Sequence, residues 1–263
     1  MNAIVQGFPI FLLIFCRITA FFVVAPVFSS RGVPNVFKIG LGFFISFIVF
    51  LTYGMQQTIV PDAEYVLFIL RELLVGLLMG FIVYLFFSVV QSAGGFMDLQ
   101  VGFAMANIVD PHTGVSAPLL GNFKYMLLIV VFLMMNGHHF LLTGLMDSYK
   151  WIPLDNELFS RFMSGSVTDF LTRAVASMFL LAVQMAAPLV VAMFLTDVGL
   201  GFLTKSAPQF NVFVIGIPLK LLIGLFLLVL IMPGLGSLFE TLFTIMFNSL
   251  EQLLGIIQGP PEG

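Results

Sequence analysis

Residues 66–90 read VLFILRELLVGLLMGFIVYLFFSVV. A transmembrane helix takes about 20 predominantly apolar residues, and this run is long enough to be one. Gly76 and Gly80 sit four apart within it, a small-xxx-small pair that lets another helix approach closely, although the signal is weak in a chain with 24 Gly. Working outward, comparable runs cover Ala3 to Phe28, Val36 to Tyr53, Phe123 to Met146, Ala174 to Thr196 and Phe210 to Met232. No alternating ten-residue strands of the β-barrel kind occur between them. The fold class expected is all-α: a polytopic hydrophobic helical protein, organised as a single domain over residues 1–263.

The composition agrees. Of 263 residues 60% are hydrophobic and only 9% are charged, with 32 Phe. Soluble domains carry about 25% charged residues. Such a chain has too little polar surface to cover itself in water, and too much hydrophobicity for disorder. The net charge of −3 gives no electrostatic case for nucleic acid. The N-terminal stretch MNAIVQGFPIFLLIFCRITAFFVV has no early basic residue and an overlong apolar run, so it reads as a retained first helix rather than a signal peptide. The one cysteine, Cys16, lies in that run and reads as a small buried hydrophobe.

Residues Ser237 to Gln258 differ from the other runs. Ser237, Glu240, Thr244, Asn248, Glu251 and Gln258 recur mostly every three to four positions, which lines one helix face with polar groups. A membrane-surface helix would carry Lys or Arg there, and this one carries only Glu. The helix is expected to pack on protein. The most polar connection is Asp147 to Arg173, where Tyr149 and Trp151 fit a membrane-interface position and Ser166 with Asp169 reads as a capping box. Arg31, Lys38, Lys124 and Lys205 cluster near the connections after the first, third and fifth runs, which places the N-terminus outside under the positive-inside rule.

The connection Gln91 to Asn122, QSAGGFMDLQVGFAMANIVDPHTGVSAPLLGN, is too polar to span and too apolar for a free loop. Gly94 and Gly95 are expected to break or kink a helix, and Asp110-Pro111 with Gly114 is a turn signal. Irregular backbone at membrane depth needs cover from protein or a wet cavity. The stretch is therefore a re-entrant pore-lining loop, a loop packed on partners, or an ordinary surface loop. Asp98 and Asp110 are default ion or proton sites, Asp110 more naturally a turn former.

Catalytic chemistry finds no support. There is no nucleophile elbow and no phosphate loop. Adjacent His138 and His139 point about 100° apart on a helix and cannot share a metal as an i, i+4 pair can. No cofactor is expected. Arg17 and Lys220 lie inside apolar runs, where a charge costs several kcal/mol unless paired or wet, so each needs a partner.

Asp197 to Lys220 reads DVGLGFLTKSAPQFNVFVIGIPLK. This block resembles the signature of the FliR/SctT family of the type III secretion export apparatus. The matching positions are Asp197, Lys205, Ala207, Pro208, Gln209, Asn211, Phe213, Gly216, Pro218, Leu219 and Lys220. GGFMDLQVGFAMANIVDP, the Asn136 to His138 tripeptide and Pro153-Leu154 support it. The resemblance spans essentially the whole chain. It implies a non-enzymatic core subunit of the flagellar export gate. In that family, helical hairpins pack in a multi-subunit assembly and form, with FliP and FliQ, a pore for unfolded flagellar proteins. FlhB and FlhA are the implied neighbours. The implied location is multi-pass in the bacterial inner membrane, at the flagellar basal body. The family also places the connection after the third run at the closed pore as a plug, here about Phe103 to Phe123. The plug residues it implies are Phe103, Met105, Asn107, Asp110, Pro111, Gly114 and Pro118. A small-solute secondary transporter is the competing reading, but such proteins show paired broken helices and this chain shows one broken region.

Overall fold

The computed structural model describes residues 2–30, 32–57, 64–103, 118–154, 158–209 and 211–258, without the side chains at 2–6, 56, 212 and 213. Among these residues the protein is all-α and polytopic. The helices are α1 (Asn2–Val24), α2 (Asn35–Thr52), α3 (Tyr65–Val101), α4 (Leu119–Met134), α5 (Gly137–Trp151), α6 (Leu158–Met163), α7 (Ser166–Ser206), α8 (Val212–Ile231) and α9 (Leu235–Gln258). Among the described residues five stretches are long and apolar enough to cross a membrane, or six if the bent pair α4 and α5 counts as one.

The helices depart from the hydropathy runs in instructive ways. α3 does not stop at Gly94-Gly95 but continues to Val101. α3 and α7 have 37 and 41 residues. At about 1.5 Å per residue they reach roughly 55 and 60 Å, against about 30 Å of hydrocarbon. The fourth run is two helices. Asn136 takes a left-handed φ of 57° between them, a conformation that Asn tolerates better than most residues. α8 and α9 are separated by a single 3₁₀ turn, Met232–Gly234.

The Cα framework divides into two compact units, each interleaved along the chain. One comprises Met1–Leu85, Leu133–Val175 and Thr244–Gly263; the other Phe86–Phe132 and Ala176–Phe243.

In the first unit α1 supplies the core through Ile10, Leu13, Ile14, Ile18 and Phe21. α2 lies against it through ring contacts of Phe11 with Phe43 and Phe50. α3 comes close on another side of α1. A Cβ at Gly76 would overlap the Arg17 carbonyl oxygen, and one at Gly80 would sit 3.0 Å from Val24 Cβ. The small-xxx-small pair is thus a true helix crossing. In the second unit, Phe132 packs edge-on against Phe87 and Phe243 at ring-centroid distances of 5.3 and 5.1 Å.

α9 behaves as its pattern requires. Phe239, Leu242, Phe243, Met246, Leu250, Leu253 and Ile257 are buried, and Ser237, Glu240, Thr244, Asn248, Glu251 and Gln258 are exposed. α8 is the opposite case. It is apolar almost all round, and Val214, Leu222, Phe226, Val229 and Leu230 are exposed within this chain.

The capping box does not form. Ser166 is the first helical residue of α7, the Asp169 N–H donates to the Gly165 carbonyl, and the Asp169 carboxylate instead pairs with Arg173 one turn on. Gly165, at φ 80°, makes the turn that lets its carbonyl open the helix.

Candidate functional site

Two arrangements in the second unit gather the residues that the sequence singles out. The first is the α3–α4 junction, which brackets residues 104–117. Its glycines serve close approach rather than breakage: a Cβ on Gly94 would overlap the Gly121 Cα, and one on Gly121 would lie 2.9 Å from the Gln91 carbonyl. Pro118 precedes α4, and its carbonyl accepts the Asn122 N–H at 2.9 Å. Pro118 occupies the N-cap position without a side-chain oxygen to cap with. Asp98, from the neighbouring helix, supplies the cap. Both its carboxylate oxygens accept the Leu120 N–H at 3.1 Å, and only 3% of the residue is exposed. Negative charge at a helix N-terminus meets the unpaired N–H groups and the positive end of the helix dipole. Asp98 is thus a structural cap. Beneath it Lys124 is equally buried, its ammonium donating to Met97 Sδ at 2.9 Å. Of the residues expected in a plug, Phe103 and Pro118 flank the segment and are half-buried. Met105, Asn107, Asp110, Pro111 and Gly114 lie outside the described residues.

The second arrangement is a clasp across the α7–α8 hairpin. Lys220 on α8 donates to Asp197 on α7, with 2.9 Å to each carboxylate oxygen. Gln100 on α3 adds a longer bond of 3.3 Å to the same carboxylate. The side chains are 19% and 42% exposed, so the pair is partly wet. The partner that Lys220 requires is therefore in the same motif block. The intervening residues turn the chain. The Ala207 N–H closes α7 on the Leu203 carbonyl, and Lys205 stands in the last turn, where a cation suits the helix dipole. Pro208 and Gln209 are exposed in the turn. Asn211 opens α8, its carbonyl accepting the Val214 and Ile215 N–H groups at 3.0 and 3.3 Å. Gly216 is buried and Pro218 exposed. Phe213 lies in α8, its side chain outside the described set.

Known proteins resemble this chain over nearly its whole length. Residues 8–246 match the family described as Bacterial export proteins, family 1. The chain belongs to that export family. The flagellar biosynthetic protein FliR of Bacillus subtilis (strain 168) is 39% identical over 98% of this chain and 99% of its own. The FliR of Escherichia coli (strain K12) is 31% identical over 90% of each. The Yop proteins translocation protein T of Yersinia pestis is 30% identical over 92% of this chain and 93% of its own.

The first unit of this export-family chain holds a polar centre that sequence reasoning saw only in part. Arg17, at 0% exposure, makes a bidentate pair with Glu72, Nε to Oε2 at 2.7 Å and Nη2 to Oε1 at 2.8 Å. Two further N–H groups donate to Ser148 Oγ at 3.1 Å and the Ile152 carbonyl at 2.9 Å. The guanidinium lies 4.1 Å over the Tyr149 ring, and the Tyr149 hydroxyl donates to the Ile14 carbonyl. α1, α3 and α5 are thus tied at one point. Tyr149 is a buried stacking partner, contrary to its expected interface position, while Trp151 is partly exposed. Glu72 went unread because it stands near the polar edge of its run, beside Arg71. A lone buried-run cation demanding a counter-charge was the signal available.

Proposed function

We propose that this protein is a non-enzymatic core subunit of a flagellar type III protein export gate. In this reading it builds, with FliP- and FliQ-type subunits and beside FlhB- and FlhA-type components, the pore that unfolded flagellar proteins cross. It does so as one export-apparatus domain over residues 1–263, in the bacterial inner membrane at the flagellar basal body. The observation that carries the reading is the near-complete overlap with FliR of Bacillus subtilis, 98% of one chain on 99% of the other.

The geometry adds support. α8 presents apolar side chains in every direction. Lipid alone gives apolar helices little drive to associate, so such a surface suits both bilayer and partner helices. The connection of about Phe103 to Phe123 acts as the plug. The helices that bracket it, α3 and α4, are held together by the Asp98 cap and the Gly94–Gly121 approach. The block from Asp197 to Lys220, with Lys205, Pro208, Gln209, Asn211, Phe213, Gly216 and Pro218, closes the α7–α8 hairpin for assembly.

Two measurements test this. In cells lacking their own subunit, the chain co-purifies with FliP- and FliQ-type proteins and restores flagellar export. A stable monomer that transports a small solute would overturn the reading. Deleting Ala106 to Ala117 raises ion conductance through the assembled complex, and unchanged conductance removes the plug.

A further inference from the structure

A cavity of about 380 Å³ opens at the end of the α1–α2 hairpin. Its lining is divided. Phe22, Val23 and Ile39 give an apolar side; Thr19, Ser29, Asn35 and Lys38 give polar groups. The size falls within the range of about 300–1,000 Å³ usual for small-molecule sites. Its position is set by the fold. α1 ends at Val24 and α2 begins at Asn35, so the cavity lies at the joined ends of two helices long and apolar enough to cross a membrane.

Among the described lining residues Lys38 is the only charged one. The first acidic residue in the sequence is Asp62, while Arg17, Arg31 and Lys38 precede it. Arg17 is consumed by Glu72. Lys38 has no carboxylate within ion-pair distance among the described residues. Its ammonium donates once, to the Ser30 carbonyl at 3.0 Å. A lysine has three N–H donors, so further donors remain for a ligand.

The geometry points to an anionic phospholipid as the occupant. Its phosphate sits on Lys38, and the start of its acyl chain lies on Phe22, Val23 and Ile39. A free anion would leave the apolar wall unused, and a zwitterionic lipid brings its own cation beside the phosphate, which competes with the lysine for that charge. Basic pockets at the cytoplasmic ends of membrane helices suit anionic headgroups for this reason. The inference goes beyond the export role and rests on the multi-pass membrane fold alone.

The test uses the full chain in nanodiscs of phosphatidylcholine with a minority of phosphatidylglycerol. Native mass spectrometry then reads which lipids stay bound on release. The wild type retains phosphatidylglycerol in preference to phosphatidylcholine. Lys38→Gln lowers that preference about fivefold, the scale of one basic residue at an anionic surface. Lys38→Arg keeps it, and so does Lys150→Gln, which alters an exposed lysine elsewhere. Equal retention of both lipids, or an unchanged preference in Lys38→Gln, overturns the assignment. Displacement of the lipid by millimolar inorganic phosphate also overturns it, because the site then reads a free anion.

Discussion

Replacing Glu72 by Gln keeps the side-chain shape and removes one charge from the Arg17 centre. Both residues are fully buried, so solvent cannot take over for the lost carboxylate. Breaking a buried ion pair from one side costs about 3–5 kcal/mol, because the remaining charge stays stranded. Here the figure falls toward about 3 kcal/mol, since Ser148 Oγ, the Ile152 carbonyl and the Tyr149 face still solvate the guanidinium. Arg17→Gln strands the Glu72 carboxylate and costs at least as much. The double variant Arg17→Met with Glu72→Leu removes both charges. Ser148 keeps its bond to the Leu145 carbonyl and Tyr149 its bond to Ile14, leaving only the Ile152 carbonyl unmet, a loss of about 1 kcal/mol. The double variant is thus more stable than either single one. The assay is unfolding of the detergent-solubilised chain in rising dodecyl sulfate, followed by circular dichroism. If the single variants accumulate too little to purify, restored accumulation of the double variant reads the same coupling. A cost below about 1 kcal/mol for Glu72→Gln, or a double variant as costly as both singles together, would refute the stranded-charge argument.

Three further outcomes follow from the second unit. Lys220→Met lowers stability by less than about 1 kcal/mol, because the Asp197 pair is partly wet, yet reduces export, and the swap Asp197→Lys with Lys220→Asp restores it; export at the wild-type rate would make the clasp dispensable. Gly94→Ala drives a methyl group into Gly121 backbone and costs about 1–3 kcal/mol or more in thermal melts, whereas Gly144→Ala, with open space around it, is neutral or slightly stabilising. Asp98→Ala removes the cap of α4, costs about 0.5–2 kcal/mol and speeds hydrogen exchange at the Leu120 amide, while Asp98→Asn retains most of the protection; equal exchange in all three proteins would deny the cap.

How far these features could be read in advance depended on whether their cause is local. Helices in apolar runs are a local consequence of hydrophobicity, and the polar face of α9 is a local consequence of spacing. Both were legible. The pairing of Lys220 was half legible, because Asp197 stands in the same motif, while Gln100 arrives from a distant helix. Gly94-Gly95 misled for a definite reason. Intrinsic propensity counts a glycine against a helix, but the gain from bringing Gly121 into backbone contact outweighs that loss, and α3 runs on to Val101. Tyr149 misled likewise: an aromatic beside a polar connection suits an interface, yet Arg17, buried one helix away, claims its ring. Ser166 and Asp169 have capping-box spacing, but Gly165 opens the helix one residue earlier and takes the Asp169 amide.

Three of the polar contacts between helices share one helix. Glu72 receives Arg17, Asp98 caps α4, and Gln100 touches Asp197, and all three residues lie on α3. This matters because the chain has few other means of fixing register. Apolar side chains on long helices interdigitate almost equally well after a one-turn slip, and lipid tails compete for the same faces. A bidentate guanidinium–carboxylate pair does not survive such a slip, nor does a carboxylate on an N-terminal amide. With only 10 basic and 13 acidic residues in the chain, the placement of a few charges along α3 does what a continuous polar pattern does in soluble bundles. The glycines work in the same sense: Gly76 against Arg17 and Gly94 against Gly121 admit backbone at one register and exclude it at the next. Hydrophobicity thus accounts for helices that must be covered, and the sparse polar and glycine contacts on α3 account for which neighbours cover them and at what height.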